Sequence, residues 1–151
     1  MIKIVCVGKI KEKYFKDAIN EYIKRIGKYT KLEIIEINDL DRLNIADILK
    51  KEGEAILKHI KDKDYVVTLE IEGIKMNSIE LASKIDNMLF KNSNITFVIG
   101  GSYGLSDEVK NRSNFKLSFS DFTFPHQLFR VILLEQIYRS FKINNNESYH
   151  K

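Results

Sequence analysis

Ile95-Thr96-Phe97-Val98-Ile99-Gly100-Gly101-Ser102-Tyr103-Gly104 decides the fold class. An apolar run of strand length, Ile95–Ile99, ends directly at a double glycine. Ser106, Asp107 and Glu108 follow, a capping residue with acids in the first turn of a short helix. In an α/β sheet, ligands bind at the carboxyl ends of the strands. Glycines there permit positive φ and close approach of the backbone to a ligand. The spacing matches neither the dinucleotide fingerprint nor a P-loop. Taken alone, the turn reads equally as a cofactor loop and as a plain tight turn.

Outward from this stretch, apolar runs of strand length alternate with helical periodicity. Ile2–Val7, Leu32–Ile37, Tyr65–Ile71 and Phe115–Phe119 read as the other strands. Tyr14, Phe15, Ala18, Ile19, Tyr22, Ile23 and Ile26 recur at helical spacing, with lysines on the opposite face. Ile45, Ile48, Leu49, Ile56, Leu57 and Ile60 mark a second helix, with Gly53 a mild weakness in it. Asn77 and Glu80 form an N-cap signature for a third. Pro125 reads as the first residue of a last helix reaching about Phe141. This order predicts an α/β fold, a mostly parallel sheet with helices on both faces. No repeat or linker interrupts it, so residues 1–151 read as one domain. The last helix has little polar face and is either buried centrally or covered by another subunit. A homodimer interface is the preferred reading in so small a domain.

With 151 residues, 44% of them hydrophobic, and a single proline, the chain can bury a core and is not a disordered one. No apolar run is long enough to span a bilayer, and the start lacks the pattern of a signal peptide. The sequence therefore reads as a soluble, cytoplasmic protein without a membrane partner. One cysteine, Cys6, fits a reducing compartment and a core position in the first strand. No Cys/His cluster has metal-ligand spacing, so no metal is expected. The net charge of +4 is unevenly spread, with nine Lys/Arg against three Asp/Glu in residues 1–31. Such a basic face permits RNA binding and equally describes a solvated lysine-rich helix.

Three further segments hold chemistry. Phe119-Ser120-Asp121-Phe122-Thr123-Phe124-Pro125-His126 sets aromatics among polar groups between a strand and a helix. Apolar walls with a few directed polar groups suit an adenosine-sized ligand; a core-packing loop is the other reading. His126 reads as a structural hydrogen-bonding residue, and His59 as an exposed one. The tail ends in Tyr149-His150-Lys151, a stacking ring beside a titratable base. A frayed end is its default.

Together these segments resemble the bacterial large-subunit rRNA pseudouridine N3-methyltransferase family of the SPOUT class. The likeness runs essentially the whole length: Val7-Gly8-Lys9, Lys51-Glu52-Gly53, Thr68-Leu69-Glu70-Ile71-Glu72-Gly73 and Ile99–Leu105. It continues through Leu117-Ser118-Phe119-Ser120, Thr123-Phe124-Pro125-His126-Gln127, Arg130, Glu135-Gln136-Ile137-Tyr138-Arg139 and Tyr149-His150-Lys151. One departure is visible: the family commonly has lysine directly after the glycine matching Gly73, and here Ile74 intervenes before Lys75.

The resemblance implies a C-terminal trefoil knot, against the general rule of unknotted chains. It implies a homodimer that uses S-adenosyl-L-methionine to methylate N3 of a pseudouridine in 23S rRNA of the assembled ribosome. By position, it places cofactor contacts at Leu69, Gly100, Phe119, Ser120, Asp121, Phe122, Thr123 and Phe124. Because the sulfonium methyl is already activated, the enzyme's task is mainly positioning. On this reading His150 assists loss of the N3 proton and Tyr149 holds the base or the tail. Arg130 contacts a phosphate or stabilises the developing anion, or it has a purely structural role paired with a carboxylate. The rival functions are a non-enzymatic ribosome-binding factor of the same fold and a SPOUT methyltransferase for another RNA position.

Overall fold

A computed structural model describes residues 1–151. Its elements are β1 (Ile2–Val7), α1 (Lys13–Ile26), β2 (Leu32–Ile37), α2 (Ile45–Leu57), β3 (Tyr65–Lys75), α3 (Ser78–Lys91), β4 (Ile95–Ile99), α4 (Asp107–Arg112), β5 (Phe115–Ser118) and α5 (His126–Asn144). The strands form one sheet in the order β2-β1-β4-β3-β5, and every neighbouring pair is parallel. This is the α/β architecture expected from the alternation of elements.

β1 and β4 lie inside the sheet and are buried along their whole length, which is why both read as unbroken apolar runs. Strand alternation still assigns the faces. Ile2, Ile4, Cys6, Phe97 and Ile99 pack toward α1, α3 and α5, whereas Val5, Val7 and Val98 pack toward α2 and α4. Leu133, Leu134, Ile137 and Phe141 of α5 are buried in the larger layer with residues of α1 and α3. Central burial thus accounts for most of the missing polar face of α5; near its start, Leu128 remains exposed.

Several boundaries differ from the expectation. β3 continues past Ile71 to Lys75, because Leu69 and Ile74 both pair with Leu117 and residues 70–73 leave the ladder between them. That interruption contains Gly73, which in sequence looks like a terminating turn. β5 stops at Ser118 and frees Phe119, while α2 stops at Leu57 and leaves Ile60 in the turn beyond. α5 starts at His126, with Pro125 as its N-cap, and runs to Asn144. Asn77 and Ser106 cap their helices as expected, each side chain accepting from the backbone N–H three residues on.

Gly53 is not simply a weakness in α2. A Cβ there would stand 2.3 Å from Ser106 Oγ, so the glycine lets α2 pack against the cap of α4. The roughly 1 kcal/mol of helix propensity that glycine forgoes is offset by that close approach. The tail is not frayed either. Tyr149 packs edge-on against Tyr138 with ring centroids 4.9 Å apart, and the Tyr29 hydroxyl donates to Glu147 at 2.8 Å.

Candidate functional site at the carboxyl ends of the strands

β4, β3 and β5 are consecutive in the sheet, so the loops leaving their carboxyl ends emerge side by side. Between those loops lies a cavity of about 330 Å³. Leu69, Gly100 and all of Phe119–Phe124 except Asp121 line it. The Asp121 carboxylate turns instead to Lys75, accepting from Nζ at 2.5 Å. This displaced lysine thus tethers the end of β3 to the aromatic segment. Both groups are solvent-exposed, so the pair contributes little stability.

The glycine turn closes on itself and also walls the cavity, so its two sequence readings describe one object. A Cβ on Gly100 would come within 2.7 Å of the Gly104 carbonyl oxygen, and Gly104 has φ +83. Only a bare backbone fits this turn, and that backbone faces the cavity. Opposite the turn, Phe129 of α5 anchors the aromatic wall. Phe119 meets it edge-on at 5.1 Å, and Phe124 stacks on it at 5.8 Å. Ser120 bends the segment by accepting the Phe122 N–H on its hydroxyl at 3.0 Å. The charged side chains of the lining are Glu70, Glu72 and Lys110, with His126 at the start of α5.

Sequence reasoning missed one group behind this wall. Glu52 of α2 is 5% exposed and accepts the Leu40 N–H at 3.1 Å. Its other oxygen would lie 3.0 Å from a Cβ on Gly101. Burial pushes its carboxyl above the ordinary range, against the lowering by the single backbone donor. Its spacing between Ile48 and Ile56 on the buried face of α2 was the available signal.

The three residues assigned to proton and RNA chemistry do not line the cavity of their own chain. Tyr149 donates its hydroxyl to Glu135 Oε1 at 3.0 Å, and the Arg139 guanidinium lies 4.7 Å from the Tyr149 ring centroid. Arg139 also pairs with Glu135 at 2.6 Å and reaches His150 Nδ1 at 3.1 Å. Burial, together with the bond to Glu135, pushes the Tyr149 hydroxyl up to about 12, so near neutrality it is a donor and not a base. Glu135 and Arg139, one helical turn apart, are thus the holders of the tail. Arg130 is 2% exposed, with Nη1 on Glu36 Oε2 at 2.6 Å and Nη2 on the Gly8 carbonyl at 3.0 Å. Of its two readings, this geometry is that of carboxylate pairing. Cys6 is a buried core thiol that burial pushes up to about 11. No group of three or more His, Cys, Asp or Glu side chains is arranged to hold a metal ion. No helix is long and apolar enough to cross a membrane.

A strand-end cavity with a bare-backbone turn in a parallel α/β sheet agrees with what comparison with known proteins finds. Residues 1–150 match the family model described as "Predicted SPOUT methyltransferase", and the chain belongs to the SPOUT methyltransferase family. It is similar over its full length to the ribosomal RNA large subunit methyltransferase H of Caldicellulosiruptor saccharolyticus, at 52% identity over 100% of both chains. The protein of the same name from Clostridium novyi is 56% identical over 99% of both chains. Among solved structures, a tRNA (m1G37) methyltransferase from Aquifex aeolicus superposes with a TM-score of 0.55. That match has 16% identity and covers 91% of this chain and 69% of the other; it speaks for the fold alone.

Proposed function

We propose that this chain, with residues 1–151 acting as one domain, transfers a methyl group from S-adenosyl-L-methionine to N3 of a pseudouridine in 23S rRNA. The assembled ribosome is the proposed substrate, in the cytoplasm. The observation that carries the reading is the cavity itself. Leu69, Leu117, Phe119 and Phe124 supply apolar walls for an adenosine, and the Gly100 turn offers backbone within reach. Full-length identity of 52–56% to relatives named for large-subunit rRNA methylation supports the substrate class.

The bound cofactor supplies an activated methyl, so this chain's residues mainly hold and orient it. His150 is assigned to assist loss of the N3 proton, with Tyr149 and the Glu135–Arg139 pair fixing the tail. Arginine stays protonated, so the nitrogen facing Arg139 is an acceptor and the neutral ring carries its proton on Nε2. Base action at Nδ1 therefore requires Arg139 to release it. Arg130, paired with Glu36, is assigned to position the start of α5.

Because the tail lies outside the cavity of its own chain, a second copy is the proposed source of a tail at each site. Exposed Tyr103, Phe122 and Leu128 on the cavity's flanking segments provide apolar surface for such a homodimer. The C-terminal trefoil knot fits a strand order in which β4 enters between β1 and β3 before β5 returns outside β3.

Mass mapping of ribosomes treated with the protein and labelled cofactor tests this reading. One labelled methyl on a 23S pseudouridine is expected, and it should disappear when Tyr149–Lys151 are removed. Label on another nucleotide would overturn the substrate, no label the activity, and full activity of the truncated chain the role of the tail.

A further inference from the structure

We propose that the acidic side of the cavity, with Glu70 as its main charge, selects the cationic cofactor over its demethylated product. The inference rests on the cofactor reading above and assigns a specificity role to residues outside the expected site. Formally charged side chains in the lining number two acids, Glu70 and Glu72, against one base, Lys110. Glu70 is the best shielded from water of the three, its side chain being 12% exposed. Its Oε2 accepts the neutral Thr68 hydroxyl at 2.6 Å, which holds the carboxylate in place without cancelling its charge. Its Oε1 is 4.0 Å from Lys110 Nζ, the outer limit of an ion pair, and that lysine is 37% exposed. Compensation of Glu70 is therefore incomplete, and a negative potential remains on the cavity side. Glu72 is exposed, and solvent screens its contribution.

The chemistry of methyl transfer gives that potential a target. S-adenosylmethionine carries a permanent positive sulfonium in addition to its ammonium and carboxylate. When the methyl leaves, the C–S bonding pair stays on sulfur, and S-adenosylhomocysteine has a neutral thioether at that atom. Substrate and product thus differ by one methyl group and one positive charge. The missing methyl itself costs roughly tenfold or more in a close-fitting apolar pocket, and that cost does not depend on the charge of Glu70. A unit charge facing a poorly screened carboxylate adds a further factor of roughly five- to tenfold once the opposing lysine is counted, and this part is removed with the carboxylate. Glu70 would therefore hold the incoming cofactor and loosen its grip when the charge is discharged.

Calorimetric titration of three ligands into wild type, Glu70→Gln and Lys110→Met tests the proposal. The ligands are S-adenosylmethionine, S-adenosylhomocysteine and sinefungin, in which a protonated amine carries the charge without a sulfonium. Glu70→Gln keeps an acceptor for Thr68. It should weaken S-adenosylmethionine and sinefungin roughly five- to tenfold and move S-adenosylhomocysteine less than about twofold. Lys110→Met should shift the same preference in the opposite direction. Equal weakening of all three ligands by Glu70→Gln, or an unchanged preference in both variants, would overturn the proposal. If wild type bound none of the three, the cofactor reading would fail first, and the proposal with it.

Discussion

Each end of the parallel sheet buries one carboxylate, and the two are treated in opposite ways. At the amino ends of the strands, Asp64 Oδ2 receives the Lys61 N–H at 2.9 Å, Thr96 Oγ1 at 3.2 Å and the Lys3 ammonium at 3.3 Å. At the carboxyl ends, Glu52 receives one N–H, from Leu40, and borders the glycine turn of the cavity. Burial alone would raise the Asp64 carboxyl, but the Lys61 N–H, the Lys3 charge and the Thr96 hydroxyl outweigh it and hold the group below its usual range. For Glu52 burial wins, and the carboxyl is raised. One end of the sheet closes three donors on a single carboxylate oxygen, with only Asp64 Oδ1 left without a partner, while the other supplies its carboxylate with one donor beside a cavity. Strand ends that carry ligands are where such a stability penalty is tolerated.

The largest effect should come from opening the closed end. Asp64→Ala leaves the Lys3 ammonium buried without its counter-charge and should lower the unfolding free energy by about 3–5 kcal/mol. Urea unfolding followed by circular dichroism measures it, and a loss below about 1 kcal/mol would show the cluster to be hydrated. The Asp64 contribution is complete above the unfolded-state pKa of about 3.9 and is lost as pH falls through the lower folded value. Affinity of the remaining folded protein for S-adenosylmethionine should not change.

Next in size is Gly100→Ala, whose methyl would meet the Gly104 carbonyl oxygen at 2.7 Å. We expect about a hundredfold weaker binding of S-adenosylmethionine by calorimetry, close to 2.7 kcal/mol. Unchanged affinity would mean that the turn does not contact the ligand. Smallest is Glu52→Gln, which removes a buried charge and retains an acceptor for Leu40. Because the folded carboxyl is raised, its ionisation lowers stability as pH rises from the unfolded value of about 4.3 through the folded one. The variant should therefore melt higher than wild type at pH 7 and equally at about pH 4. A lower melting point at pH 7 would show that the Glu52 charge is stabilising.

The same contrast explains how far the sequence alone reaches. Strand and helix order follow from periodicity, because β1, β4 and the amphipathic α1 each display their burial in local spacing. The strand order does not, since nothing local to β4 says that it enters between β1 and β3. Leu69, Gly100 and Phe119–Phe124 were recognised by motif, and their convergence depends on that unseen order. Gly53 looked like a helix defect because its reason, Ser106, is 53 residues away in the chain. Glu52 and Glu135 went unassigned because an acid on a helix reads as solvated until the packing around it is known. The tail read as frayed for the same reason, its partners Tyr138 and Arg139 lying a turn and more back along α5.

The difference between the two ends is tested most directly by amide chemical shifts of the labelled protein during titration with S-adenosylmethionine. The amides of Leu69, Gly100, Gly104 and Phe119–Phe124 should shift, while those of Lys3, Asp64 and Thr96 stay in place. Shifts concentrated around Lys3 and Asp64, with the glycine turn unmoved, would contradict a cofactor seat at the carboxyl ends of the strands.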